Sequence, residues 1–154
     1  MHAVAPKHVS FLSFCTANVL IDLESLYNLI HQRHPVHAFF HTYVGATLVM
    51  AATVLLFLGL RAFASRLWLP NLFRWRELGS MQVTMGAALG AYSHVVLDSV
   101  MHSDIQPLSP LSFGNVLWGI VPLGTLHLTC LVLGALGGAV MIARWFFADG
   151  ENAL

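Results

Sequence analysis

A chain of 154 residues has the length of one domain, and 57% apolar against 9% charged residues excludes a disordered segment, a basic nucleic-acid-binding module and an ordinary water-soluble globule. Seven Lys plus Arg balance seven Asp plus Glu, so no bulk field draws in nucleic acid or an acidic partner. Mean hydropathy is +0.73, yet nine His interrupt this apolar background.

The first apolar run, Val9 to Ile30, is a candidate helix broken by Asp22, Glu24 and Asn28. A second run begins at Pro35, and Thr42 to Leu60 is free of charge. A helix needs about 20 such residues to cross a hydrocarbon core of roughly 30 Å. Arg61 to Glu77 follows, with Trp68, Phe73 and Trp75 among four Arg, and suits an amphipathic connection at the interface. Met81 to His102 is a third span. Ile105 to Val121, with Pro107, Pro110, Gly114 and Asn115, reads as a loop. Val121 to Phe147 is the last span. The expected fold is therefore all-α: a polytopic membrane bundle of about four spanning or near-spanning helices in a single domain, residues 1–154. The cluster Arg61, Arg66, Arg74 and Arg76, with Arg144, places that side in the cytoplasm of a multi-pass plasma-membrane protein. Cys15 and Cys130 sit in apolar runs without a CxxC and read as small core residues.

Ionisable residues inside a span are costly and functional by default. His94, Asp98 and His102 are spaced i, i+4, i+8 and line one helix face, with Asp104 just beyond. Pro35 fits a first helical turn, which puts His37 and His41 at i, i+4 on the next face. Imidazole and carboxylate at such spacings can share a divalent ion: Zn²⁺, with Mn²⁺ or Fe²⁺ as alternatives. Asp22 is a further ligand. Glu24, about 200° away on the same helix, is a second ligand, a general base or an acceptor for an imidazole N–H. His8 lies about 21 Å from Asp22 on a straight helix and reaches the cluster only if the N-terminal segment folds back. His31 and His34 read as interfacial, His127 as a satisfied interior residue, and His2 as part of a free terminus. The expected site thus has His8, Asp22, His37, His41, His94, Asp98 and His102 as metal ligands, with Glu24 and Asp104 as proton acceptors, near the non-cytoplasmic face.

The segments Pro6-Lys-His8, Ile21-Asp22-Leu-Glu24, Pro35-Val-His37-Ala-Phe-Phe-His41-Thr42, Ser93-His94-Val-Val-Leu-Asp98-Ser and His102-Ser-Asp104-Ile-Gln-Pro107 together resemble the predicted membrane-bound metal-dependent hydrolases of bacteria and archaea. The resemblance covers about residues 5 to 115. A remoter likeness is to zinc-dependent phospholipase C and the related single-strand nucleases, helical proteins that use a His-x-x-x-Asp pair. His94 and Asp98 match that pair; His8, Asp22 and His37 or His41 follow its order. These resemblances imply a metal-activated water attacking a phosphoester, here of a lipid or other amphiphile taken from the bilayer. Two alternatives come from other classes: a non-catalytic membrane metal-binding or structural protein, and a haem b protein ligated by His41 or His94 with His127.

Overall fold

A computed structural model describes residues 9–151 apart from 65, 67 and 69. Its helices are α1 (Phe11–Ile30), α2 (Tyr43–Phe63), α3 (Ser80–Met101) and α4 (Leu123–Glu151), with 3₁₀ turns at Phe39–His41 and Leu72–Glu77 and no strand among the described residues. Each start has a local cause. Ser10 caps α1 by accepting the Ser13 N–H at 3.2 Å. Thr42 caps α2 by accepting the Gly45 N–H at 2.9 Å. The Gln82 side chain accepts the Gly79 N–H at 2.8 Å ahead of α3. At the far end of α3, Asn115 donates to the carbonyls of Ser99 and His102, satisfying acceptors that the last turn leaves open.

Helices α1, α2 and α3 form a bundle whose core is built largely of small residues: Ala17, Ala46, Ala87 and Ala91 with Ile21, Val49 and Val95. The α1–α3 contact is close because Gly86 lies against Ser10 and Ser13, and Gly90 against Phe14 and Ala17. The Ser13 hydroxyl donates across it to the Val83 carbonyl at 2.9 Å. Large apolar side chains face outward instead, among them Leu26, Leu29, Ile30, Leu48, Leu55 and Met81. Small residues within and bulky ones outside is the pattern of helices that pack closely in lipid.

Among the described residues, two helices, α2 and the Leu123–Val140 stretch of α4, are long and apolar enough to cross a membrane. Of the four spanning or near-spanning helices expected, these two meet the length and hydropathy of a span. Helices α1 and α3 have the length, but their polar residues, Asn18, Asp22, Glu24 and Asn28 in one and Gln82, His94 and Asp98 in the other, dilute their hydropathy. Helix α4 does not pack into the bundle, and none of its candidate span is buried. His127 is therefore exposed on α4 rather than interior, and the bis-His pairing with His41 or His94 has no packed helix to carry it. Cys15 and Cys130 are both free, Cys130 exposed on α4 and Cys15 only half-buried, so neither is a core residue.

Candidate metal centre

The site forms where the C-terminal half of α1, the segment leading into α2 and the last turns of α3 meet. Asp22 of α1, His41 before α2, and His94 and Asp98 of α3 each direct one ligand atom to a common point, these atoms lying within 4.8 Å of one another. The closest approaches are narrower. His94 Nε2 is 3.1 Å from Asp22 Oδ1 and 3.2 Å from Asp98 Oδ2. His41 Nε2 is 3.6 Å from Asp22 Oδ1 and 3.5 Å from Asp98 Oδ2. Tetrahedral ligands at about 2.0–2.1 Å from a zinc ion stand roughly 3.3 Å apart, the middle of this range.

These contacts are not aligned hydrogen bonds. The Nε2 atoms of His41 and His94 are buried, and neither makes an aligned hydrogen bond despite the carboxylates beside it. The surroundings of His94 give the reason. The Asn18 amide nitrogen donates to the Phe14 carbonyl at 2.8 Å, which turns its oxygen toward His94 Nδ1 at 2.9 Å. Nδ1 then carries a proton, so in the neutral ring Nε2 is the nitrogen with the lone pair, and it faces two carboxylate oxygens. Lone pairs meeting at that distance repel, and a cation between them, a proton on Nε2 or a shared metal ion, relieves this. Two carboxylates and one divalent ion also sum to zero charge, the form that a low-dielectric site tolerates. These residues could hold a metal ion. His41 is fully buried, Asp98 nearly so, and Asp22 is 54% exposed, so the cluster opens on the Asp22 side.

A second group adjoins the first. His37, His102 and Asp104 also offer ligand atoms within 4.8 Å of one another. The His37 ring lies 4.8 Å from that of His41 and stacks at 4.2 Å on that of His102. Asp104 accepts the backbone N–H groups of Val36 and His37, each at 3.1 Å, and meets His37 Nδ1 at 3.1 Å. Burial alone would raise the Asp104 carboxyl, but these donors outweigh it and hold it below its ordinary value.

The geometry departs from helical spacing at two points. His37 and His41 do not share a first helical turn, because α2 starts at Tyr43. Side chains intercept the preceding backbone: Asp104 takes the N–H groups of Val36 and His37, Glu24 takes that of Phe40, and Asn28 donates to the Val36 carbonyl. The two imidazoles consequently enter different groups. His102 does not extend the His94–Asp98 row either. Helix α3 ends at Met101, and His102 has extended dihedrals (φ −115°, ψ 127°) that turn it toward Asp104. Glu24 lies in neither group; its carboxylate anchors the 3₁₀ turn that presents His41. His31 and His34 are exposed, and His8 lies outside the described residues.

Two contributors are absent from the sequence expectation. Asn18 orients His94, and the buried Ser25 hydroxyl sits 3.5 Å from His41 Nδ1. Their signal is a polar stripe at helical spacing along α1: Asn18, Asp22, Ser25 and Asn28. Asn18→Leu is expected to weaken metal binding by about 10- to 100-fold while leaving the helix content unchanged, the usual cost of losing the partner of a ligating imidazole. Competition with a chelating dye measures it. Comparison of the chain with protein-family models, with curated proteins and with solved structures gives no significant match.

Proposed function

We propose that the protein is a membrane-bound, metal-dependent hydrolase acting on a phosphoester of a lipid or amphiphilic substrate, with the cluster of Asp22, His41, His94 and Asp98 as its metal site. The observation that supports this most is the pair of buried, unbonded imidazole nitrogens facing two carboxylates at 3.1–3.6 Å. Zinc suits two imidazoles and two carboxylates, and manganese or iron(II) accepts the same donors. When bound, such an ion lowers the pKa of a water toward 7 and polarises the scissile group.

The chain supplies the rest. Asn18 fixes the tautomer of His94. Glu24 positions the turn that carries His41. Asp104 holds Nδ1 of His37, and this pair, ring against ring with His41, accepts the proton released beside the metal ligands. Asp22, the one strongly exposed member, marks the side from which substrate enters. In the multi-pass arrangement we infer, the Arg-rich 61–77 connection is cytoplasmic and the site lies toward the opposite face of the plasma membrane.

A second reading has an observation of its own. Four protein donors complete a tetrahedral zinc shell, as in structural sites, which suits a non-catalytic metal-binding protein. Assay of the metal-loaded protein on phospholipid vesicles separates the two. Release of a water-soluble headgroup, abolished by chelator and restored by added metal, supports the hydrolase; stoichiometric metal without turnover supports the structural role. Protons compete for imidazole lone pairs, so metal affinity is expected to fall as pH is lowered, which titration at several pH values measures.

A further inference from the structure

Away from the candidate metal centre, α1, α2 and the connection after α2 line a half-open cavity of about 320 Å³. Its walls include Ser13 and Thr16 of α1, Thr53, Leu56 and Phe57 of α2, and Trp75. It is remote from the metal: Thr16 precedes Asp22 by six residues, about 9 Å along α1, and Thr53 lies about 15 Å along α2 from Tyr43. The volume falls in the range of small-molecule sites, roughly 300–1,000 Å³.

The lining is apolar in effect as well as in composition. Each of its three hydroxyls is already committed to a backbone carbonyl. Ser13 donates to Val83 at 2.9 Å, Thr16 to Leu12 at 2.9 Å and Thr53 to Val49 at 2.8 Å. An occupant therefore finds hydrocarbon contact and no available donor. The rim has the opposite character. Phe57 and Trp75 meet edge to face at 5.9 Å. The Arg61 guanidinium stands 5.7 Å from the Phe57 ring and that of Arg76 5.8 Å from the Trp75 ring. The stretch 61–77 also carries Arg66 and Arg74 against the single acid Glu77. Arg61 lies in the last turn of α2, the helix most suited to crossing a bilayer, so this rim falls where a headgroup layer would begin.

A hydrocarbon slot rimmed by guanidinium groups at a membrane boundary fits one class of ligand. We propose that this cavity binds an anionic phospholipid, one acyl chain between α1 and α2 and the phosphate at Arg61, as a site separate from the metal centre.

Native mass spectrometry of the full chain, exchanged against equal amounts of dioleoylphosphatidylglycerol and dioleoylphosphatidylcholine, tests it. One phosphatidylglycerol per chain is expected, preferred about fivefold, the effect of one basic residue at a membrane surface. Arg61→Gln should bring the preference close to unity. Thr16→Phe, which fills the cavity from α1, should reduce retention of both lipids. Unchanged circular dichroism shows that each variant folds. Equal retention of the two lipids by the wild type overturns the proposal, as does a preference that survives Arg61→Gln. Full retention in folded Thr16→Phe, or a lipid-free dimer occupying the same surface, also overturns it. If Thr16→Phe does not fold, the Arg61→Gln result decides alone.

Discussion

On the metal-dependent hydrolase reading proposed above, His94→Ala and Asp98→Ala are each expected to abolish metal binding and, with it, hydrolysis by at least about a thousandfold, since the ion is asked to supply several kcal/mol of transition-state stabilisation. The two residues sit one turn apart on α3, and their ligand atoms are 3.2 Å from one another. Removing either leaves three of the four donors and an unbalanced charge in a largely buried site. His94→Ala leaves two carboxylates facing each other with one imidazole; Asp98→Ala leaves two imidazoles and the half-exposed Asp22. Glu24→Gln makes a useful contrast. Its amide oxygen can still accept the Phe40 N–H, so a positioning role predicts metal content near wild type and only a modest loss of rate, whereas a proton-accepting role predicts a collapse of rate with the metal retained. Metal analysis and vesicle hydrolysis on the same preparations read all three variants.

Gly45→Ala will cost about 3 kcal/mol and weaken metal binding together, although no polar group is touched. A Cβ at this position would drive into the Phe39 carbonyl oxygen and come within 2.7 Å of the Phe40 Cα, both backbone atoms that cannot rotate aside. Those atoms belong to the 3₁₀ turn ending at His41, so relief of the clash displaces a ligand. Gly90→Ala should behave similarly from the other side. Its Cβ would lie 2.5 Å from the Phe14 carbonyl oxygen and 3.0 Å from the Asn18 amide that orients His94. Gly59→Ala is the control. Nothing lies within 4 Å of a Cβ there, and replacing a helical glycine should raise stability by about 0.5–1 kcal/mol. Thermal melts with and without added metal separate the packing loss from the ligand displacement.

Much of the helical organisation is legible from apolar runs. The boundaries of α1, α3 and α4 fall close to the ends of those runs, and the proline-containing stretch after Met101 is the loop it reads as. The His94–Asp98 pair is legible for the same reason: both residues lie within one regular helix, where a spacing of four fixes a shared face. What fails is periodicity beyond a helix end. The His37–His41 pair has helical spacing in sequence but non-helical backbone, because Asp104, Glu24 and Asn28 capture the peptide groups of residues 36–40; His102 lies just past the end of α3, where Asn115 takes its carbonyl. Nothing local in the stretch 35–41 announces this. Helices α1 and α3 have the length of a span, but the polar residues along both lower their hydropathy below that of α2 and α4. Asn18 and Ser25 were legible in principle, as members of the stripe that includes Asp22, but a neutral amide and a hydroxyl draw less notice than a charge in an apolar helix.

The central claim is that one divalent cation sits among Asp22, His41, His94 and Asp98. X-ray absorption spectroscopy on the purified wild-type protein, together with elemental analysis of the same sample, tests it most directly. The account predicts about one metal per chain for this site, coordinated by nitrogen and oxygen at about 2.0–2.2 Å with an imidazole signature and no sulfur. A protein free of metal after purification in metal-replete medium, or a metal shell that is unchanged in His94→Ala, would contradict it.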